Sequence, residues 1–384
     1  MNVDRICLLS LIFISSLASV SLAQDKFQKS VSLSFESGPL ISNGKPWADE
    51  IKNSIEYRGI DAKFSWRQIS NTHMNHLYRY PTFGVGFTSF LGDFPEIGKP
   101  QAFYGFFEMP FSYKTKGQKF SFGYFTQIGL GFNLTPYDSI DNPLNQYIGS
   151  NLNAYIHFGF RGEYQLSDRL LIISDIGMKH YSNGAMKKPN AGINLVPFSL
   201  GIKSYLGKIN PTPTTTPIYP DLDKRWFLNV ALYTGFKNYE IGGSDYFRGG
   251  LGVNYLWEAN YKFRLGLGLD LFYAPGMSER NNGEQFSFRD QTSLAVVASW
   301  EWKLTEKLFM PVGFGVYLYR NELNQEVSGF YERIGFRYRI TEALSAGVQI
   351  KAHKAKADFF EFTLGYTIPG RVRYQTSKKI SQLH

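Results

Sequence analysis

The sequence predicts an all-β protein that crosses an outer membrane with tilted antiparallel strands closed into barrels, and three observations predict it. Aromatic residues make up 17% of the chain, with 33 Phe, 25 Tyr and 6 Trp, while charged residues make up only 19%. Mean hydropathy is nevertheless slightly negative, at -0.24. Past the N-terminus no apolar run approaches the ~18 residues that a spanning helix needs. The longest, such as Leu294 to Ala298, extend over a handful of residues. Apolar side chains are instead diluted by Gly, Ser, Thr and Asn at every second place, the habit of strands with one face in lipid and one face wet.

Period-2 segments follow one another along the chain. The first half holds eight, at about 29–37, 55–66, 81–91, 101–113, 119–133, 147–164, 169–181 and 192–206. The second half holds eight more, at about 225–237, 246–258, 262–273, 286–302, 308–319, 327–339, 342–353 and 357–368. Each reaches the ~9–11 residues that a tilted strand needs to cross a bilayer. Turn-like phrases such as Gly92-Asp93, Ser167-Asp168 and Thr341-Glu342 separate them. Between the halves lies Asn210-Pro211-Thr212-Pro213-Thr214-Thr215-Thr216-Pro217-Ile218-Tyr219-Pro220. Its prolines cannot join a sheet ladder, so it reads as an extended linker. Eight strands suffice to close a small barrel filled by side chains. Count and linker together favour two tandem eight-stranded barrels over the alternative, one sixteen-stranded barrel. A faint internal repeat, Phe158-Gly159-Phe160-Arg161 against Ile334-Gly335-Phe336-Arg337, fits duplication.

The first residues read as a targeting signal. Arg5 supplies the positive region, Ile6 to Val20 the apolar region, and Ser21-Leu22-Ala23 a small-x-small cleavage site. The expected organisation is a signal peptide over 1–23, a first barrel over 24–208, a Pro/Thr-rich linker over 209–224, a second barrel over 225–370 and a polar tail over 371–384. The single cysteine, Cys7, falls in the signal, so no disulfide, thiol nucleophile or Cys-based metal site is expected in the remainder. Net charge is +9. For an exported chain this argues against nucleic acid; anionic lipid headgroups in the outer membrane are the better partner, the alternative being that surplus Lys and Arg simply solvate loops. A homo-oligomer is compatible with the sequence. No metal and no cofactor is expected: His73 and His76 share one loop without a carboxylate pair, and Gly242-Gly243 and Gly249-Gly250 read as turn and barrel glycines.

One stretch carries chemistry: His180-Tyr181-Ser182-Asn183-Gly184-Ala185-Met186-Lys187-Lys188-Pro189-Asn190-Ala191-Gly192-Ile193-Asn194. His180 and Ser182 are two apart on a strand, so both leave the same face. A neutral imidazole beside a hydroxyl is the base and nucleophile of acyl transfer, and Asn183 with the N–H groups around Gly184 suits an oxyanion. Leu170, Ile172, Ile176 and Met178 share the parity of His180, while Asp175 and Lys179 occupy the other. In a membrane barrel the apolar parity faces lipid. His180 and Ser182 are therefore expected on the outer wall, just above the hydrocarbon band. Asn194 shares its parity with Val196, Phe198, Leu200 and Ile202, which places it on the same wall. Polar groups converging where they are costly point to a site; the alternative is that strand ends leave the hydrocarbon and are polar for that reason alone.

His-x-Ser-Asn followed by Pro-Asn-x-Gly resembles the lipid A 3-O-deacylases of the outer membrane, the PagL family of acyloxyacyl hydrolases, over about residues 27–207. The resemblance implies an eight-stranded barrel with a Ser-His-Glu triad on its outer surface, cutting the ester-linked chain at position 3 of lipid A. It maps the base onto His180, the nucleophile onto Ser182, an oxyanion residue onto Asn183, and the motif loop onto Pro189, Asn190 and Gly192. The acidic third member falls on Asn194. An Asn carbonyl can orient the imidazole but cannot neutralise an imidazolium, and the equivalent change in a serine triad costs about four decades.

The second half lacks the site. Ala355 stands where a serine would be needed, and His353 shares its parity with Ser345, Gln349 and Lys351, which is the luminal set. Lys179, Lys187 and Lys188 flank the motif; they read as ordinary loop lysines, with pairing to lipid A phosphates as point charges the alternative. The reading is an outer-membrane serine esterase that deacylates lipid A, with His180, Ser182 and Asn194 catalytic and Asn183 and Gly184 on the oxyanion. The alternative is a non-catalytic barrel that binds or transports lipid or serves structurally.

Overall fold

The computed structural model describes residues 27–370 apart from 115, 116, 210, 211, 214 and 223. The expected signal peptide (1–23) and polar tail (371–384) lie outside the described residues. The chain forms two compact units. The first holds the described residues up to Asn145, then Asn151–Tyr181 and Gly192–Tyr219; the second holds Gln146–Ser150, Ser182–Ala191 and the chain from Pro220 onward.

In the first unit the strands are β1 (Phe27–Gly38), β2 (Tyr57–Gln68), β3 (Thr82–Phe90), β4 (Gly98–Pro110), β5 (Phe120–Leu134), β6 (Asn153–Gln165), β7 (Leu170–Ser182), β8 (Ile193–Leu195) and β9 (Phe198–Tyr205). Each of β1 to β5 pairs antiparallel with its successor. Closure comes from β6 against β7 and β9 against β1. β7 pairs with β9 along its first half and with β8 at its end, so β8 and β9 are one interrupted stave of an eight-stranded barrel. The interruption falls at Val196-Pro197, inside the stretch expected as one strand over 192–206. Proline has no N–H for the ladder, and the Val196 N–H leaves it to donate to the Pro39 carbonyl at 3.1 Å.

Alternation sorts the side chains. On β1, Val31, Leu33 and Phe35 are exposed on the outer wall, while Ser30, Ser34 and Glu36 are buried inside. The interior is charged and paired. Arg161 binds Asp175 through Nε at 2.6 Å and Nη2 at 2.5 Å, and also meets Glu108. Lys203 reaches Glu163 at 2.8 Å. Removing one partner from such a pair leaves a bare buried charge, at about 3–5 kcal/mol.

The second unit holds a closed antiparallel barrel of eight strands: β10 (Trp226–Asn238), β11 (Asp245–Glu258), β12 (Phe263–Tyr273), β13 (Thr292–Lys303), β14 (Leu308–Tyr319), β15 (Phe330–Arg339), β16 (Leu344–His353) and β17 (Lys356–Pro369). Its closure pairs β10 with β17. Leu232, Leu251, Leu267 and Leu364 face outward. Inside, Arg333 joins Glu361 at 2.6 Å and Asp270 at 2.7 Å, and Arg248 joins Glu326 at 3.0 Å. Two separate closures exclude the single sixteen-stranded barrel. Among the described residues, 206–225 contain no strand. Thr215 accepts from the Asn71 amide at 3.1 Å and the Tyr219 hydroxyl meets His76 Nδ1 at 2.8 Å.

Most expected strands lie within a few residues of the observed ones. Two expected strands begin earlier than the observed ones. Residues 147–152, inside the expected strand 147–164, belong to the β5–β6 loop. There Tyr147 and Ile148 are buried, so their apolar character serves loop packing. Residues 286–291 likewise precede β13. The loop helix α1 (Pro46–Ser54) and the short helix α2 (His73–Leu77) interrupt connections that the sequence reading left without structure.

Candidate active site

β7 is the strand on which the motif begins. Its even positions face outward: Ile176 and Met178 are exposed and His180 is half-buried. Its odd positions face inward, and Lys179 is fully buried against Glu36, with Tyr57 at 2.8 Å. Lys179 therefore cannot meet a lipid phosphate outside. This corrects the expectation for that residue, and the cause is the same alternation that puts His180 on the wall.

β8 supplies the partner. The short β7–β8 ladder sets His180 directly opposite Asn194, and the His180 Nδ1 to Asn194 Oδ1 distance is 2.7 Å. With a proton on Nδ1, the ring donates to the amide oxygen and leaves Nε2 with its lone pair. Gly192 makes this possible. A methyl there would meet His180 Cε1 at 2.5 Å, and its φ of +79° is one that only glycine adopts freely. The motif glycine is thus the floor on which the imidazole lies.

Ser182 ends β7 two residues beyond His180, on the same parity, and is 4% exposed. The chain then turns sharply through two left-handed residues, Gly184 (φ +62°) and Ala185 (φ +61°). Asn183 braces this turn. Its side-chain N–H groups donate to Ser150 Oγ at 2.9 Å and to the Lys187 carbonyl at 2.8 Å, and its backbone N–H donates to Asn190 Oδ1 at 3.1 Å. The donors of Asn183 are thus engaged by the loop and by Ser150, at odds with the expectation that its amide is open to an oxyanion. Asn190 acts as an internal acceptor, and Pro189 lies where its carbonyl would stand 2.9 Å from a methyl at Gly149. The sequence reading missed Gly149 and Ser150. No local pattern marks them, because they lie more than thirty residues from the loop they support. Burial pushes Lys188 below the usual lysine range, with the ammonium groups of Lys237 and Lys356 acting the same way; its Nζ donates to the Tyr239 carbonyl at 2.7 Å.

On the outer wall of the first barrel an open groove of about 630 Å³ runs over β5, β6 and β7. Thr126, Phe158, Phe160, Ile176, Met178 and Val196 line it. Met178 lies two residues before His180 and Val196 two after Asn194, so the apolar groove leads to the polar pair. His353, by contrast, is buried, with Tyr317 Oη 3.0 Å from its Nε2. Among the described residues no group of His, Cys, Asp and Glu is arranged to hold a metal ion.

Comparison with known proteins yields two family matches. The lipid A 3-O-deacylase (PagL) family matches residues 56–203, and the acyloxyacyl hydrolase C-terminal domain matches residues 226–370. The second match extends the kinship beyond the first barrel, where the resemblance read from the motif had stopped. No curated protein matches the chain. Among solved structures, the outer membrane enzyme PagL is 18% identical with a TM-score of 0.30, covering 46% of this chain and 99% of that one. The P. putida toluene transporter TodX is 10% identical with a TM-score of 0.19, covering 92% of each chain. A triple mutant of the Rhodopseudomonas blastica porin is 8% identical with a TM-score of 0.17, covering 89% of this chain and 99% of that one. The two family matches together take in well over half of the sequence, and the chain belongs to the lipid A 3-O-deacylase (PagL) family of outer-membrane proteins.

Proposed function

We propose that this protein is an outer-membrane serine esterase that removes an ester-linked acyl chain from lipid A. The observation that carries the reading is the His180–Asn194 pair on the outward face of β7 and β8, at the head of an apolar groove. An outer-leaflet lipid presents its esters at the level where the hydrocarbon band ends, and its chains run down alongside the wall. The groove suits one such chain by burial of apolar surface. In this reading the first barrel, 24–208, carries the reaction and the second, 225–370, supports it.

His180 Nε2 takes the proton of Ser182 Oγ as that oxygen attacks the ester carbonyl. The carbonyl oxygen becomes an oxyanion. Asn183 is committed to bracing the loop, so the reading leans on the Gly184 N–H as donor. Collapse breaks the ester C–O bond, and His180 returns its proton to the departing lipid A alkoxide. Water, activated by the same imidazole, then releases the fatty acid from Ser182. Asn194 holds the ring through Nδ1–H throughout but leaves the imidazolium charge uncompensated, which predicts a slow enzyme.

Mass spectrometry of lipid A from cells expressing the wild type or Ser182→Ala tests this. Loss of one hydroxyacyl chain with the wild type alone supports the esterase. Identical profiles would favour a barrel that binds or transports lipid without cutting it.

A further inference from the structure

Ser182–Ala191 belongs by its contacts to the unit that holds the second barrel, and three contacts explain why. The N–H of Asn238, the last residue of β10, donates to the Ala185 carbonyl at 3.0 Å. The Lys188 ammonium donates to the Tyr239 carbonyl at 2.7 Å. The ring of Phe360, on β17, lies so close to Gly184 that a methyl there would meet it at 2.3 Å. The paired register of β10 and β17 ends at Thr234 and Phe362. Above that level β10 still carries a backbone donor, and the loop supplies its acceptor.

The turn itself needs holding. Gly184 and Ala185 are consecutive left-handed residues, and a residue with a side chain loses about 1–2 kcal/mol in that conformation. Such backbone persists only where its surroundings over-determine it. An oxyanion donor must also sit within a few tenths of an ångström of its place. We infer that the second barrel is a positioning clamp for the Asn183–Gly184 segment, with Phe360, Asn238 and Tyr239 as positioning residues. The inference rests on the esterase reading, in which Gly184 is the oxyanion donor.

The test uses the full-length protein in detergent micelles with purified lipid A, kcat and KM being measured per folded molecule. Phe360→Ala is expected to lower kcat ~10- to 100-fold, since a displacement of about 1 Å has that effect, with little change in KM. Phe360→Tyr keeps the ring and should restore the rate. Phe362→Ala, at an exposed outward position on the same strand, should match the wild type. A merely structural role would reduce the folded amount and leave kcat unchanged. A second measurement needs no activity. Cys7 is the chain's single cysteine, so a disulfide formed by oxidising Gly184→Cys/Phe360→Cys and mapped by peptide mass spectrometry reports the contact. No disulfide overturns the clamp. A disulfide together with unaltered kcat in Phe360→Ala overturns the positioning role. A disulfide with no deacylation by the wild type overturns the esterase reading, which separates the two failures.

Discussion

The two barrels have the same number of staves and a similarly charged interior, and each carries a histidine near the end of its seventh strand. In the first, His180 on β7 lies on the parity of Ile176 and Met178 and faces outward. In the second, His353 on β16 lies on the parity of Gln349 and Lys351 and is buried against Tyr317. A shift of one residue in phase moves a side chain from one face of a strand to the other. The same residue type is therefore a candidate base in one barrel and a luminal hydrogen-bond partner in the other. Likeness of the two halves in architecture does not imply shared chemistry, because chemistry depends on which wall a side chain leaves.

The largest expected effect breaks this comparison outright. Ser182→Ala and His180→Ala should each lower lipid A deacylation by ~10⁴-fold or more, as read by release of fatty acid. Retention of activity in either would remove the distinction between the two histidines. Next comes Gly192→Ala, which forces a methyl to within 2.5 Å of the imidazole. Displacing the base should slow kcat by ~100-fold without loss of folded protein from the outer-membrane fraction.

Asn194→Asp sharpens the comparison in the opposite direction. It keeps the shape of the 2.7 Å contact and adds the charge that stabilises an imidazolium, so kcat should rise ~10-fold or more. An unchanged or lower rate would show that Asn194 is already the better partner. The smallest effect belongs to the second barrel. His353→Ala should leave deacylation at the wild-type level and destabilise by about 1 kcal/mol through the lost Tyr317 hydrogen bond, seen as a small drop in the unfolding midpoint. A large loss of activity would place His353 in the reaction and undo the parity argument.

The alternation of apolar and polar residues is a local property of the chain, and it determined the strands, their outward faces, the number of staves and the outward setting of His180 and Asn194. The motif likewise pointed to Gly192, which lies beneath the imidazole because it leads into β8, the strand paired with the end of β7 at His180. Only the tertiary structure decided where Pro197 would break the last stave, that Lys179 is spent on Glu36, and that the Asn183 amide is occupied by Ser150 and Lys187. It alone brought Ser150, Asn238, Tyr239 and Phe360 to the motif loop. These residues lie from some thirty positions (Ser150) to about 175 positions (Phe360) from the loop, where no periodicity reaches. Their pairing depends on how closed barrels bring distant loops and strand ends together, and a linear pattern of alternating faces carries no record of that.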